Sequence, residues 1–259
     1  MFDWVEELPV VWMGLVVLAA MALLTASIYF AVMSLAHGER GVAFKAVSPG
    51  MLPPLGILFA LLVGFMAAGV WGDADRAEQA VDDEASALRS VVLLSDQLPV
   101  DERARLRVLI RRHIEDAVHN EWPAMAEQRA SLQTIPVPLA DALDLALRFE
   151  PRGEGQVVAQ RELVASLQDA LDARRQRVIV SGSGINAVKW VGLILLAALS
   201  LVAIALVHSS NRATAAIALG VFATAVAVVV VMLAAQDRPF SGQLGLDPDL
   251  LEQVLPPPA

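Results

Sequence analysis

The sequence predicts an all-α fold: four transmembrane helices, arranged as two pairs, flanking a central helical bundle. Three observations carry this. Four apolar stretches, Val10 to Leu35, Met51 to Trp71, Val188 to Val207 and Ala213 to Ala235, each run about 20 residues or more. That is the length a helix rising 1.5 Å per residue needs to cross a hydrocarbon core roughly 30 Å thick. Apart from Lys189 at the entry to the third, the four stretches hold no Asp, Glu, Lys or Arg. Hydrophobic residues make up 56% of the chain and mean hydropathy is +0.58, a composition of the membrane class. The expected divisions are a first transmembrane pair over 1–72, a helical domain over 73–186, a second pair over 187–235 and a tail over 236–259.

The first apolar stretch follows an acidic segment (Asp3, Glu6, Glu7), is too long for a signal peptide and has no small-x-small cleavage site after it. It is expected to stay as a membrane helix. Basic residues near the span ends set the orientation. Arg76, Arg89, Arg174, Arg175, Arg177 and Lys189 flank the central domain and Arg238 follows the last span, whereas the short connections carry only Arg40, Lys45 and Arg212. The positive-inside rule then places both termini and the central domain of a multi-pass protein in the cytoplasm.

From residue 73 onward the pattern is helical. A first helix continues the second span and runs to about Leu98, where Pro99 ends it. The acidic run Asp73, Asp75, Glu78, Asp82, Asp83, Glu84 reads either as a solvated helix start or as carboxylates at a pore mouth, with Asp73 and Asp75 nearest the membrane. Asp101 is the expected N-cap of the next helix, whose apolar stripe is Leu106, Leu109, Ile110, Ile114 and Val118. A shorter helix is expected over Leu139 to Phe149. A long one follows from Glu154 to Val180, facing a partner with Val157, Val158, Leu163, Leu167 and Leu171, and Ser181-Gly182-Ser183-Gly184 interrupts it before the membrane. The charged residues of these helices are expected on solvated faces.

The chemistry of enzymes is absent. No phosphate-binding loop, dinucleotide glycine pattern or nucleophile elbow occurs, so the chain is read as a non-enzyme with no cofactor. With no cysteine there is no thiolate chemistry, and a net charge of −9 argues against nucleic acid as a partner. Of the four histidines, His37, His113, His119 and His208, only His113 and His119 lie near each other and near acids. Six residues apart on a helix they point about 120° from one another, so no metal site is expected and both are taken as surface histidines.

The second span carries two stripes. Gly56, Ala60, Gly64 and Ala68 recur every four residues, the small-residue pattern that lets helices approach closely in lipid. Beside it run Ile57, Leu61 and Phe65. If subunits pack through the small stripe, these three stack as apolar rings around an axis, a constriction that gates ions by dewetting. The other reading is helix packing alone, with the three facing membrane lipid.

The Leu55-Gly56-Ile57 to Gly64-Phe65 stretch, the following Asp75-Arg76, and the tail segments Asp237-Arg238-Pro239-Phe240-Ser241-Gly242 and Leu246-Asp247-Pro248-Asp249-Leu250-Leu251 together resemble a bacterial bestrophin-like membrane family. The resemblance covers nearly the whole chain and extends distantly to the bestrophins. It implies a bestrophin-like fold, a homo-oligomer (a pentamer by analogy), conduction of inorganic ions, and Ile57, Leu61 and Phe65 as the neck. Pro239 and Phe240 match a bestrophin pair, but Ser241-Gly242-Gln243 stands where animal members carry calcium-binding acids, and Met66-Ala67-Ala68 replaces a polar Arg-Asn-Asn stretch. Asp247 and Pro248 are instead expected as N-cap and first residue of a last helix. Two functions of different class follow: an oligomeric ion channel, or a non-conducting membrane scaffold or sensor whose helical domain binds a cytoplasmic partner.

Overall fold

The computed structural model describes residues 9–36 and 49–257. Asp3, Glu6, Glu7, His37, Arg40, Lys45 and Pro258 therefore lie outside the described residues. Every regular element among those described is helical: α1 (Val10–Leu35), α2 (Leu52–Leu94), α3 (Val100–Asp116), α4 (Trp122–Ala126), α5 (Val137–Arg148), α6 (Glu154–Ser181), α7 (Ala187–Val207), α8 (Arg212–Ala235) and α9 (Asp249–Glu252). Helices α1, α2, α7 and α8 are long and apolar enough to cross a membrane.

The chain divides into two compact units. One comprises Met1–Trp71 with Gly184–Asp237, the other Gly72–Ser183 with Arg238–Ala259. In the first, small side chains bring the helices together: Ala205, Leu201, Leu219 and Ala223 pack with Val32 and, around them, Met21, Leu24, Ile28 and Tyr29. A second cluster joins Met66 and Val70 of α2 to Trp190 and Leu193 of α7 and Leu233 of α8. Phe59 meets Phe222 with ring centroids 5.8 Å apart. Asparagines start both later helices: Asn186 accepts from the Lys189 amide (3.0 Å), and Asn211 from the amides of Ala213 (3.0 Å) and Thr214 (3.2 Å). Large apolar side chains such as Leu23, Phe30, Val188, Ile217 and Val221 face outward, as they do on helices whose surroundings are lipid or a neighbouring subunit.

The second unit is a helical bundle with one continuous core. Ala77, Val81, Leu88 and Val91 of α2 meet Leu106, Ile110 and Ile114 of α3, Leu139, Ala142 and Ala146 of α5, and Leu163, Leu167 and Ala170 of α6. The boundaries differ from expectation in small ways. Pro99 rather than Asp101 occupies the N-cap of α3, and Asp101 falls in the first turn, where its charge suits the positive helix end. The short helix begins at Val137, two residues early, because Pro136 and Pro138 are both compatible with a helix start. Pro248 is the N-cap of α9, displacing Asp247 by one position. Val157 and Val158 are exposed, so the packed stripe of α6 begins at Ala159 and Leu163.

One irregularity was not expected. Between α3 and α4 the helix widens into a π-turn over Ala117–Glu121, where the Trp122 amide bonds the Ala117 carbonyl five residues back. Pro123 has no N–H for the carbonyl four residues before it, which removes one bond of the regular ladder at this point. The inserted residue rotates the helix face, and Glu121 is carried inward.

Candidate functional site

The membrane part of α2 has two faces. Phe59, Leu62, Val63, Met66, Ala67 and Val70 are packed against α7 and α8. On the opposite side Ile57, Leu61 and Phe65 are exposed, Phe65 at 75%. The small stripe Gly56, Ala60, Gly64 and Ala68 runs beside them and is exposed as well. A Cβ built on Gly56 or Gly64 meets no neighbouring atom within 4 Å. Among the described residues of one protomer, both stripes are therefore unpartnered, and they occupy one side of the helix.

The two acidic residues nearest the membrane differ. Asp73 is ion-paired with Arg76, whose Nε also donates to the Gly72 carbonyl at 3.0 Å. Asp75 is exposed. Glu78, Asp82 and Asp83 are exposed too. Glu84 is the exception and corrects the reading of the run as uniformly solvated: it is wholly buried.

Around Glu84 the helical unit holds an ionic cluster that the sequence reading did not find. Arg177 from α6 grips both carboxylate oxygens, Nε to Oε2 at 2.7 Å and Nη2 to Oε1 at 3.2 Å. His113 Nε2 lies 2.9 Å from Oε1, and since an ionised carboxylate only accepts, that nitrogen carries the hydrogen. Arg177 Nη2 also donates to Glu121 Oε2 at 3.0 Å, and Glu121 Oε1 accepts from Arg174 Nε at 2.8 Å. Arg174 reaches on to the Thr134 carbonyl at 3.2 Å. Arg177 is 0% exposed, Arg174 4% and His113 1%. His113, Arg174 and Arg177 are thus not surface residues, and burial by itself would lower the Arg177 value. The charges of Glu84 and then Glu121, with their hydrogen bonds, outweigh that and raise it. His119, by contrast, is exposed, with Nδ1 2.8 Å from the Glu115 carbonyl. No group of side chains among the described residues is placed to hold a metal ion.

The tail segment splits between two roles. Asp237 is buried and its Oδ1 accepts from the Ile185 amide at 2.7 Å, while neighbouring Gln236 accepts from Trp71 Nε1 at 2.6 Å. These contacts pin the α6–α7 connection and the end of α2 in the first unit. In the second unit Arg238 is followed by a closed loop: the Leu246 amide bonds the Pro239 carbonyl at 2.8 Å and Ser241 bonds the Arg238 carbonyl at 3.3 Å. Gly242 sits at φ 77°, a conformation that favours glycine. Phe240 is buried edge-on against Trp122, centroids 5.4 Å apart, and Trp122 Nε1 donates to the Leu246 carbonyl at 2.9 Å.

Solved structures share this architecture. A bacterial bestrophin homologue from Klebsiella pneumoniae, phased on zinc, superposes with a TM-score of 0.67 at 12% identity, covering 93% of this chain and 95% of that one. A leucine-to-threonine variant of that homologue gives 0.68 at 14% identity (92% and 96%). A tryptophan-to-alanine variant gives 0.70 at 12% identity (92% and 94%). At such low identity the likeness establishes the fold. No functionally curated protein matches the sequence. A profile of the Bestrophin-like domain matches residues 18–251, nearly the whole length, and the chain therefore belongs to the bestrophin-like family.

Proposed function

We propose that the protein is the subunit of an oligomeric ion channel in the bacterial inner membrane, with α2 innermost and both termini and the helical domain cytoplasmic. The observation that carries this reading is the bare side of α2. A helix buried on one side by α7 and α8 leaves a small-residue stripe and an apolar stripe with no partner among the described residues of the protomer. Copies packing through Gly56, Ala60, Gly64 and Ala68 bring Ile57, Leu61 and Phe65 together as stacked rings, a hydrophobic neck. A ring of five follows from the analogy with bestrophins. Asp75, exposed four residues after Trp71 in sequence, supplies carboxylates that favour cations. Asp73, neutralised by Arg76, contributes less.

Purified protein reconstituted in planar bilayers tests the reading. Cation currents that grow or lose their closed periods in Phe65→Ala support it. A well-folded oligomer that stays silent, or a monomer that co-purifies with one stoichiometric cytoplasmic protein, would replace the channel with the scaffold or sensor.

A further inference from the structure

Trp122 contacts both Arg177 and the C-terminal tail. Its ring lies over the Arg177 guanidinium, 5.1 Å from centroid to Cζ. It also holds the tail, with the Phe240 ring nearly perpendicular to its own and its Nε1–H on the Leu246 carbonyl. Arg177 in turn is fixed by Glu84 of α2 and Glu121 of the π-turn. Beyond Leu246 the tail seats Leu251, Val254 and Leu255 on the same core, and Arg111 of α3 bonds the Pro256 carbonyl.

We propose that this arrangement is a relay: the seating of residues 239–257 depends on Glu84 through Arg177 and Trp122, so a change at the α2 extension is transmitted to the tail. The physical basis is the isolation of the guanidinium. Water does not reach Arg177, so its position is set by Glu84, Glu121, the Met125 sulfur at 3.6 Å and the Trp122 face. Loss of the Glu84 charge leaves Arg177 pulled toward Glu121 alone and shifts the plane on which Trp122 rests. Coupling of this kind is reciprocal, so a displaced tail also loosens the grip on Glu84.

Hydrogen exchange of the full-length protein in detergent tests the relay, with Glu84→Gln as the variant and Asp144→Asn, which removes only the exposed pair with Arg148, as the control. The expected result is exchange that accelerates about tenfold more across 239–257 than across the amides of α5 in Glu84→Gln. Arg177→Lys keeps the positive charge but not the planar, two-carboxylate grip, and gives the same tail-specific acceleration should Glu84→Gln fail to fold. A tail protected as in the parent chain, acceleration spread evenly over the helical unit, or equal acceleration in Asp144→Asn would each overturn the relay.

Discussion

The Arg177 guanidinium holds both oxygens of Glu84 from a helix ninety-three residues further along the chain, and both side chains are wholly excluded from solvent. A pair in that position costs heavily when broken on one side, because the survivor is left charged in a site without water. Removing one partner of a buried pair destabilises by about 3–5 kcal/mol, whereas removing both spares the orphan. Glu84→Gln and Arg177→Met are each expected to lower the thermal midpoint of the detergent-solubilised protein strongly. The double variant should cost less than the sum by about 1–3 kcal/mol. Additive losses would show that the two residues do not act as a pair.

The same pair sets a response to acid. Burial raises the Glu84 carboxyl, but the charge of Arg177, followed by the hydrogen bond and charge of His113, brings it down from the ordinary 4.5 to about 2. Its folded value thus lies below its unfolded one, so the unfolded chain takes the proton first. The stabilisation is fully present above about pH 4.5 and disappears as pH falls toward 2, a contribution of order 3 kcal/mol. Unfolding measured at about pH 5 and about pH 2.5 should show a larger loss in the parent chain than in Glu84→Gln. Equal losses would mean that Glu84 is not held ionised in the folded state.

The spans and the helical bundle were legible because each rests on a local, repeated signal: uncharged runs of membrane length, and apolar residues at helical spacing. The ionic cluster was missed because its members were read as charges rather than by phase. Glu84 falls on the line of Ala77, Val81, Leu88 and Val91, His113 on that of Leu106 and Ile110, and Arg174 and Arg177 on that of Leu163, Leu167 and Ala170. A charge on the apolar stripe of an amphipathic helix is the mark of a buried partner on another helix. Which helix supplies it depends on tertiary packing, and Glu121 depends further on a π-turn that no periodicity announces. The bare side of α2 was legible as two stripes, but that both are exposed among the described residues required the packing of α7 and α8 on the other side.

The tail loop depends on one glycine for space. A Cβ on Gly245 would stand 2.9 Å from both the amide nitrogen and the carbonyl oxygen of Ser241, and backbone cannot move aside as a flexible side-chain end would. Gly245→Ala is expected to open the 239–246 loop at a cost of about 1–3 kcal/mol. Limited proteolysis should then cut within the tail while the helices of the second unit persist. An unchanged digestion pattern would show that the loop absorbs the methyl group by rearranging.

Gly64 offers the opposite case, because no atom of the described residues lies within 4 Å of a Cβ built on it. Gly64 is exposed and a Cβ there meets nothing, so Gly64→Leu should leave helix content unchanged and the stability of the protomer within about 0.5 kcal/mol of the parent. If the small stripe is where subunits meet, however, the same leucine pushes neighbouring helices apart, since close approach in lipid depends on small side chains. The expected outcome is a parent oligomer that becomes a folded monomer or an ill-defined mixture, read by light scattering of the detergent complex. A substitution at outward-facing Ile217 of α8, Ile217→Ala, should leave the subunit count unchanged. An intact oligomer in Gly64→Leu would remove this side of α2 from the interface, and with it the stacked arrangement of Ile57, Leu61 and Phe65 on which conduction is proposed.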